Sequence, residues 1–383
     1  MTAPDARSGE RGLRGVVAAE TRISDVDGAA GKLWYAGYPI QELAERSTFE
    51  EVLFLLHNGR LPIGQELESL QEEMVAGRAA AEFVSQLMPT LAEHSSPMSM
   101  LRTCVSAASA HDPDGWDRAP EANHRKAMRL VALMPTLITV YDRHRRELAP
   151  VSADPRLPHA ANFLSMLDGQ EPAQEAARAF DVLFILYADH TMNASTFAAR
   201  IVASTLADMH SAMVAAIAAL KGPLHGGANE GAMRMLDEIG DPTRAAPYVK
   251  DLFARKQKVM GFGHPVYRTW DPRATIFREL AGDLARRSGD TRWFEISEAV
   301  LDAVLAEREL YPNVDFYAAS ALRSLGVPTD LFTPVFAAAR SAGWTAHVRE
   351  QYANNRVIRP ESVYVGPRDL HYVAIEDREA IAS

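Results

Sequence analysis

The sequence predicts an all-α protein of a large and a small helical domain, with a minor N-terminal β hairpin and a C-terminal extended arm. Three observations predict it. Apolar residues recur at helical spacing through most of the chain, strand-like alternation is confined to the two ends, and no βαβ rhythm, repeat or low-complexity tract occurs. The 383 residues suffice for more than one core.

Residues 1–14 are small and charged, without an apolar leader core, and read as a mobile tail. Val16-Val17-Ala18 and Lys32–Tyr35 flank Asp27–Gly31 and predict a hairpin with a glycine turn. Ser47-Thr48 before Phe49-Glu50-Glu51 starts a helix that Gly59 and Pro62 stop. Further helices are expected over 64–77, 97–110, 122–147, 172–191, 193–221, 228–239, 244–258, 273–288, 292–310, 314–325 and 328–352. Strand-like alternation returns at Ser362–Val365 and Tyr372–Ile375. Within 194–220 the only formal charges are Arg200 and Asp208, so this stretch is expected at the centre of a domain or at a subunit interface. Turns at Lys221–Gly227 and Gly326-Val327-Pro328 divide the chain into a large domain, 15–227 with 327–383, and a small domain, 228–326.

Composition narrows the function. With 47% hydrophobic and 23% charged residues the chain is globular, not disordered. Val131–Tyr141 is too short to span a bilayer, and Pro135 interrupts it. The net charge of −10 argues against nucleic-acid or anionic-membrane partners, so an anionic ligand needs clustered Arg, Lys and His. Cys104 is the single cysteine, which excludes an intrachain disulfide and fits a reducing cytoplasm.

Four stations place ionisable residues beside helix breakers: Asp189-His190, the His225 turn, Gly261-Phe262-Gly263-His264-Pro265 and Pro312-Asn313-Val314-Asp315. Helix ends let side chains and free N–H groups face one ligand. Each also has a structural reading. His190 could cap a helix, His225 could hold its turn, and Asp315 could complement a helix dipole. No compact spacing joins these residues as metal ligands, so no metal is expected. Arg273, Arg340 and Arg359 lie beside breakers or aromatics, a setting that suits bidentate binding of carboxylates.

Gly222-Pro-Leu-His-Gly-Gly-Ala-Asn229, Gly261-Phe-Gly-His-Pro-Val-Tyr-Arg268, Asp271-Pro-Arg273 and Pro312-Asn-Val-Asp-Phe-Tyr317 occur in this order. Gly343-Trp344 with His347, and Asn355-Arg356-Val-Ile-Arg-Pro360, follow. In these motifs the chain resembles the citrate synthases, in their short bacterial and archaeal form, from Gly12 to Pro367. The resemblance implies a homodimeric two-domain enzyme, an acyltransferase that condenses acetyl-CoA with oxaloacetate through an enol and hydrolyses citryl-CoA. It implies no cofactor beyond the CoA thioester substrate.

It also implies roles. Asp315 falls on the catalytic base, His225 on the group that stabilises the enol, and His264 on the group that polarises the oxaloacetate carbonyl. His190, Arg273 and Arg340 fall on oxaloacetate ligands, and Arg359 on the arginine that the partner subunit contributes. CoA is expected on the free backbone around Val259, Gly261 and Gly263, with Arg268 on phosphate. Lys256 and Lys258 are either further phosphate contacts or solvated charges. Thr191 stands where many relatives carry Glu, and Ala36 where Arg is frequent. The alternative activity is 2-methylcitrate synthesis from propionyl-CoA, which differs by one methylene in the acyl pocket. A citryl-CoA lyase and a non-catalytic CoA-binding regulator rank below both.

Overall fold

The computed structural model describes residues 11–13 and 15–378; most of the expected N-terminal tail, residues 1–10 and 14, lies outside them. Residues 21–356 form one compact unit, and the described parts of 1–20 and 357–383 belong to a second.

The β structure is a three-stranded antiparallel sheet: β1 (Ser24–Asp27), β2 (Lys32–Tyr35) and β3 (Tyr38–Pro39). Val16–Ala18 is therefore not the hairpin's first strand. Asp27 Oδ1 accepts the N–H groups of Ala29 and Ala30 at 3.0 and 2.8 Å, so the turn closes after Asp27 and sets Ser24 opposite Tyr35. Val17 is left 85% exposed, without a partner strand. No strand forms at 362–365 or 372–375 either, where Val365 and Tyr372 face solvent. Alternation without a neighbouring strand leaves the ladder groups unpaired.

The expected helices form, most with ends within four residues of the predicted ones. Thr48 forms a capping box with Glu51 at the start of the Phe49–Asn58 helix, and Gly59 ends it in the left-handed region. The predicted 193–221 helix is two helices, Ala194–Ser204 and Met209–Leu220, because Leu206 adopts φ +63 and Asp208 caps the second. Four helices had no counterpart in the sequence reading: Ile40–Arg46, Ala81–Ser85, Met88–His94 and His159–Asp168. The first three span two turns or less, too few for a period to show.

The Phe332–Ala353 helix is the core of the 21–356 unit. It is buried from Phe332 to Val348 and packs on the Phe49–Asn58, Pro120–Arg145, Gln174–Tyr187, Ala194–Ser204 and Met209–Leu220 helices. At Gly343 the contact is backbone to backbone: its N–H donates to Ala188 O at 3.0 Å. A Cβ there would sit 2.4 Å from that carbonyl oxygen and 2.3 Å from Asp189 Oδ1. Gly343→Ala is expected to lower stability by about 3 kcal/mol, at the upper end of overpacking costs, and a thermal melt checks it. No described helix is long and apolar enough to cross a membrane.

Candidate active site

The helix starts at Pro272 and Val314, the segment before Ala194, the turns around His225 and His264 and the middle of the Phe332–Ala353 helix bring the predicted oxaloacetate and catalytic residues together. The Gly261–His264 turn and the Pro312–Asp315 station, distant in sequence, are stitched side by side. Gly263 N–H donates to Tyr311 O at 2.9 Å, Asn313 N–H to Gly261 O at 2.9 Å, and Asn313 Nδ2 to Gly263 O at 3.0 Å. Gly261 has φ +79, and a Cβ there would lie 2.8 Å from that of Phe316, so only glycine lets the turn approach the helix that carries Asp315.

Asn313 caps this helix by accepting the Asp315 N–H at 3.0 Å. The Asp315 carboxyl is thus held at the helix start, buried, and its Oδ1 has no hydrogen-bond partner among the described residues. Burial raises its pKa to about 7, against the pull of Arg273 and Arg340. A carboxylate with that pKa and a vacant oxygen is suited to taking a proton near neutral pH.

The histidines are held neutral. His264 Nδ1 accepts the N–H groups of Val266 and Tyr267 at 3.0 and 3.2 Å, which leaves its ring proton on Nε2. Burial, then Arg273, lowers its pKa to about 4. His225 Nε2 lies 3.3 Å from the Ser195 N–H that donates to it and 2.8 Å from Ser195 Oγ. Burial, then Arg340, brings it also to about 4. Trp344 Nε1 donates to the same Ser195 Oγ at 3.1 Å and fixes the serine beneath His225. His190 is buried and neutral as well, with its Nε2 3.2 Å from Tyr267 OH and its ring edge-on to His264 at 5.2 Å. The capping role is not its own: Asn193 Oδ1 accepts the N–H groups of Ser195 and Thr196.

The two arginines predicted for oxaloacetate, Arg273 and Arg340, are both buried and differ in their partners. Arg273 is clamped by Asp271, through Nε at 3.0 Å and NH2 at 2.7 Å. Burial would lower its pKa, but Asp271 outweighs it and raises the value. Arg340 is 1% exposed and donates Nε to Tyr187 O at 2.6 Å, yet has no carboxylate within ion-pair distance among the described residues. Burial draws its pKa down to about 10. An unpaired buried guanidinium is costly, and an entering anion removes that cost.

Behind His190 runs a polar chain. Burial alone would raise the Asp189 pKa, but His347, Arg340 and Ser24 hold it below the ordinary carboxylate value. His347 Nε2 lies 3.3 Å from Asp189 Oδ1, and Arg200 NH1 donates to His347 Nδ1 at 3.0 Å. Thr191 adopts φ +48, strained for a β-branched residue, with its N–H on Ser24 Oγ and Asp189 Oδ2. His190 therefore takes its bond from Tyr267, not from residue 191.

The predicted CoA backbone is only partly free. Phe262 N–H is taken by Val259 O at 3.3 Å and Gly263 N–H by Tyr311 O, whereas those of Val259, Met260 and Gly261 find no acceptor among the described residues. The Val259 side chain is buried. Lys256, Lys258 and Arg268 are all exposed, and Lys258 also lines a cavity of about 580 Å3 with Lys221, Arg234 and Met260. Arg359 is exposed on the non-helical segment after the Phe332–Ala353 helix.

Asp271, Tyr267 and Ser195 had no assigned role from sequence. Asp271 was legible as a cap immediately before Pro272-Arg273; the other two meet His190 and His225 only through folding.

Comparison with known proteins gives one answer. Residues 12–361 match the family described as citrate synthase, C-terminal domain. The citrate synthase of Haloferax volcanii is 46% identical over 383 residues, covering 97% of this chain and 100% of that one. A 2-methylcitrate synthase of Mycobacterium tuberculosis is 42% identical over 369 residues, 96% of this chain and 93% of its own. Among solved structures, the Thermoplasma acidophilum citrate synthase, in ternary complex with carboxymethyl coenzyme A and oxaloacetate, superposes with TM-score 0.90 at 34% identity. It covers 95% of this chain and 98% of that one.

Proposed function

The chain belongs to the citrate synthase family, and on that premise we propose that the residues around Asp315 condense acetyl-CoA with oxaloacetate and water to give citrate and CoA. The observation that carries this is the pairing of a vacant carboxylate of pKa about 7 with neutral histidines and an unpaired buried arginine. Asp315 takes a proton from the acetyl methyl group while His225 stabilises the enol oxygen. The enol carbon then attacks the keto carbon of oxaloacetate, and His264 donates from Nε2 to the keto oxygen. Water finally hydrolyses the citryl-CoA thioester. Arg340, Arg273 and His190 hold the oxaloacetate carboxylates, with Arg273 shared between substrate and Asp271.

CoA lies against the free N–H groups of 259–261, with Lys258 nearest of the basic candidates and Arg268 and Lys256 reaching phosphate from the surface. The helices of 228–326 pack chiefly on one another, which supports a small domain that closes over the substrates. The enzyme works as a cytoplasmic homodimer, with Arg359 supplied across the interface. Ile201 and Leu206, apolar side chains 36% and 41% exposed on the 194–220 stretch, support a covering subunit there.

At low substrate the activity is expected to fall as pH drops through about 7, because protonated Asp315 cannot accept the methyl proton. His225 and His264 keep their neutral form down to about 4 and contribute no limb above it. A kcat/KM profile flat from pH 8 to 5 would contradict this assignment.

Free-thiol release with oxaloacetate and either acetyl-CoA or propionyl-CoA tests the reaction. A higher kcat/KM for acetyl-CoA is expected; preference for propionyl-CoA would make the chain a 2-methylcitrate synthase, and no thiol from either would overturn the reading.

A further inference from the structure

Outside the cleft, a cavity of about 680 Å3 opens among Arg22, His57, Arg118, Asn123, Arg349 and Tyr352. That volume suits a small metabolite. The protein carries a net charge of −10, so carboxylates are plentiful, yet none lies within ion-pair distance of Arg22, Arg118 or Arg349 among the described residues. The carboxylate on the wall, Glu350, is already engaged. Its Oε2 meets Arg200 NH1 at 2.7 Å and its Oε1 accepts the Arg22 backbone N–H at 2.9 Å.

Arg349 is the informative residue. Two exposed arginines alone would be ordinary solvated charges. Arg349, however, is half-buried on the Phe332–Ala353 helix, and its one hydrogen-bonded side-chain partner among the described residues is His57 Nδ1, at 2.7 Å from Nη1. A nitrogen that accepts from a guanidinium carries no proton, so the His57 proton sits on Nε2, 3.1 Å from Thr345 Oγ1. Burial and Arg349 together hold His57 well below its ordinary pKa. The partner is therefore neutral and leaves the guanidinium charge uncompensated. Glu73 acts on Arg349 only from further off, with its Oε2 engaged by His124 Nε2 at 2.8 Å. Ile23, Leu56 and Pro120 give the same cavity an apolar wall.

We propose that this cavity binds a small oxyanion metabolite, phosphate- or carboxylate-bearing, held by the guanidinium groups of Arg349, Arg22 and Arg118. A half-buried forked donor beside two exposed ones is an arrangement that planar and tetrahedral oxyanions both satisfy. The site is separate from the oxaloacetate arginines and does not depend on the activity proposed above.

Calorimetric titration of the full chain with pyrophosphate, and separately with tricarballylate, tests the proposal in the wild type, Arg349→Gln and Arg118→Gln. The wild type is expected to bind one more equivalent per chain of one of the two probes than Arg349→Gln does. Arg118→Gln is expected to weaken that equivalent at least fivefold. Arg118 is exposed, so its replacement keeps the test decisive should Arg349→Gln fold poorly. The probe that binds identifies phosphate or carboxylate as the ligand chemistry. Equal stoichiometry and affinity across the three proteins for both probes would overturn the site.

Discussion

Asp315→Asn is expected to lower kcat by on the order of a thousandfold while leaving oxaloacetate affinity within about twofold of wild type. The amide keeps the volume and accepts hydrogen bonds through its oxygen, but it cannot take a proton. Oxaloacetate affinity survives because Arg340, Arg273 and His190, not Asp315, meet its carboxylates. The variant is also expected to fold at least as well as wild type. Asp315 is a buried acid whose ionisation burial opposes, with one oxygen unpartnered, and a neutral amide removes that penalty. Steady-state kinetics, an oxaloacetate titration and a melt check the three parts.

Arg340→Met is expected to separate binding from stability in the opposite direction. Arg340 is a buried cation with no carboxylate within ion-pair distance among the described residues, and only the longer-range pull of Asp189 opposes its burial, so an unbranched apolar side chain of similar reach is expected to change stability little. Oxaloacetate, in contrast, loses a charge-assisted contact in a dry site. The cost is about 3 kcal/mol, on the order of a hundredfold in oxaloacetate affinity. Arg273 is the harder residue to replace, because Asp271 would be left buried without its partner. A large fall in melting temperature on replacing Arg340 would show that its charge is structurally compensated after all.

Much of this site is written locally. The Asn313 cap, the Asp271 cap and the breaker glycines around His225 and His264 are sequence features with a direct physical meaning, and each holds an ionisable group at a helix start or in a turn. The helical periods were legible for the same reason: they are long and repeat. Three kinds of information were not local. The His190–Tyr267 and His225–Ser195 pairs join residues 77 and 30 positions apart, and no pattern in the chain announces them. The vacancy at Arg340 is a statement about what is not nearby, which only the packed structure supplies. The failed strands at Val16, Ser362 and Tyr372 show the converse, since alternation has no meaning until a neighbouring strand exists to pair with it. The break at Leu206 is of the same kind, an apolar residue in a left-handed conformation that composition alone does not reveal.

The central claim is that Asp315 removes a methyl proton from the acetyl group. The measurement that tests it most directly is exchange of the acetyl-CoA methyl protons with D2O, followed by NMR in the presence of malate. This hydroxy analogue of oxaloacetate presents both carboxylates but no keto carbon for the enol to attack. Wild-type protein is expected to exchange the methyl protons, and Asp315→Asn to exchange them at no more than about a hundredth of that rate. Exchange at the wild-type rate in Asp315→Asn would contradict the account.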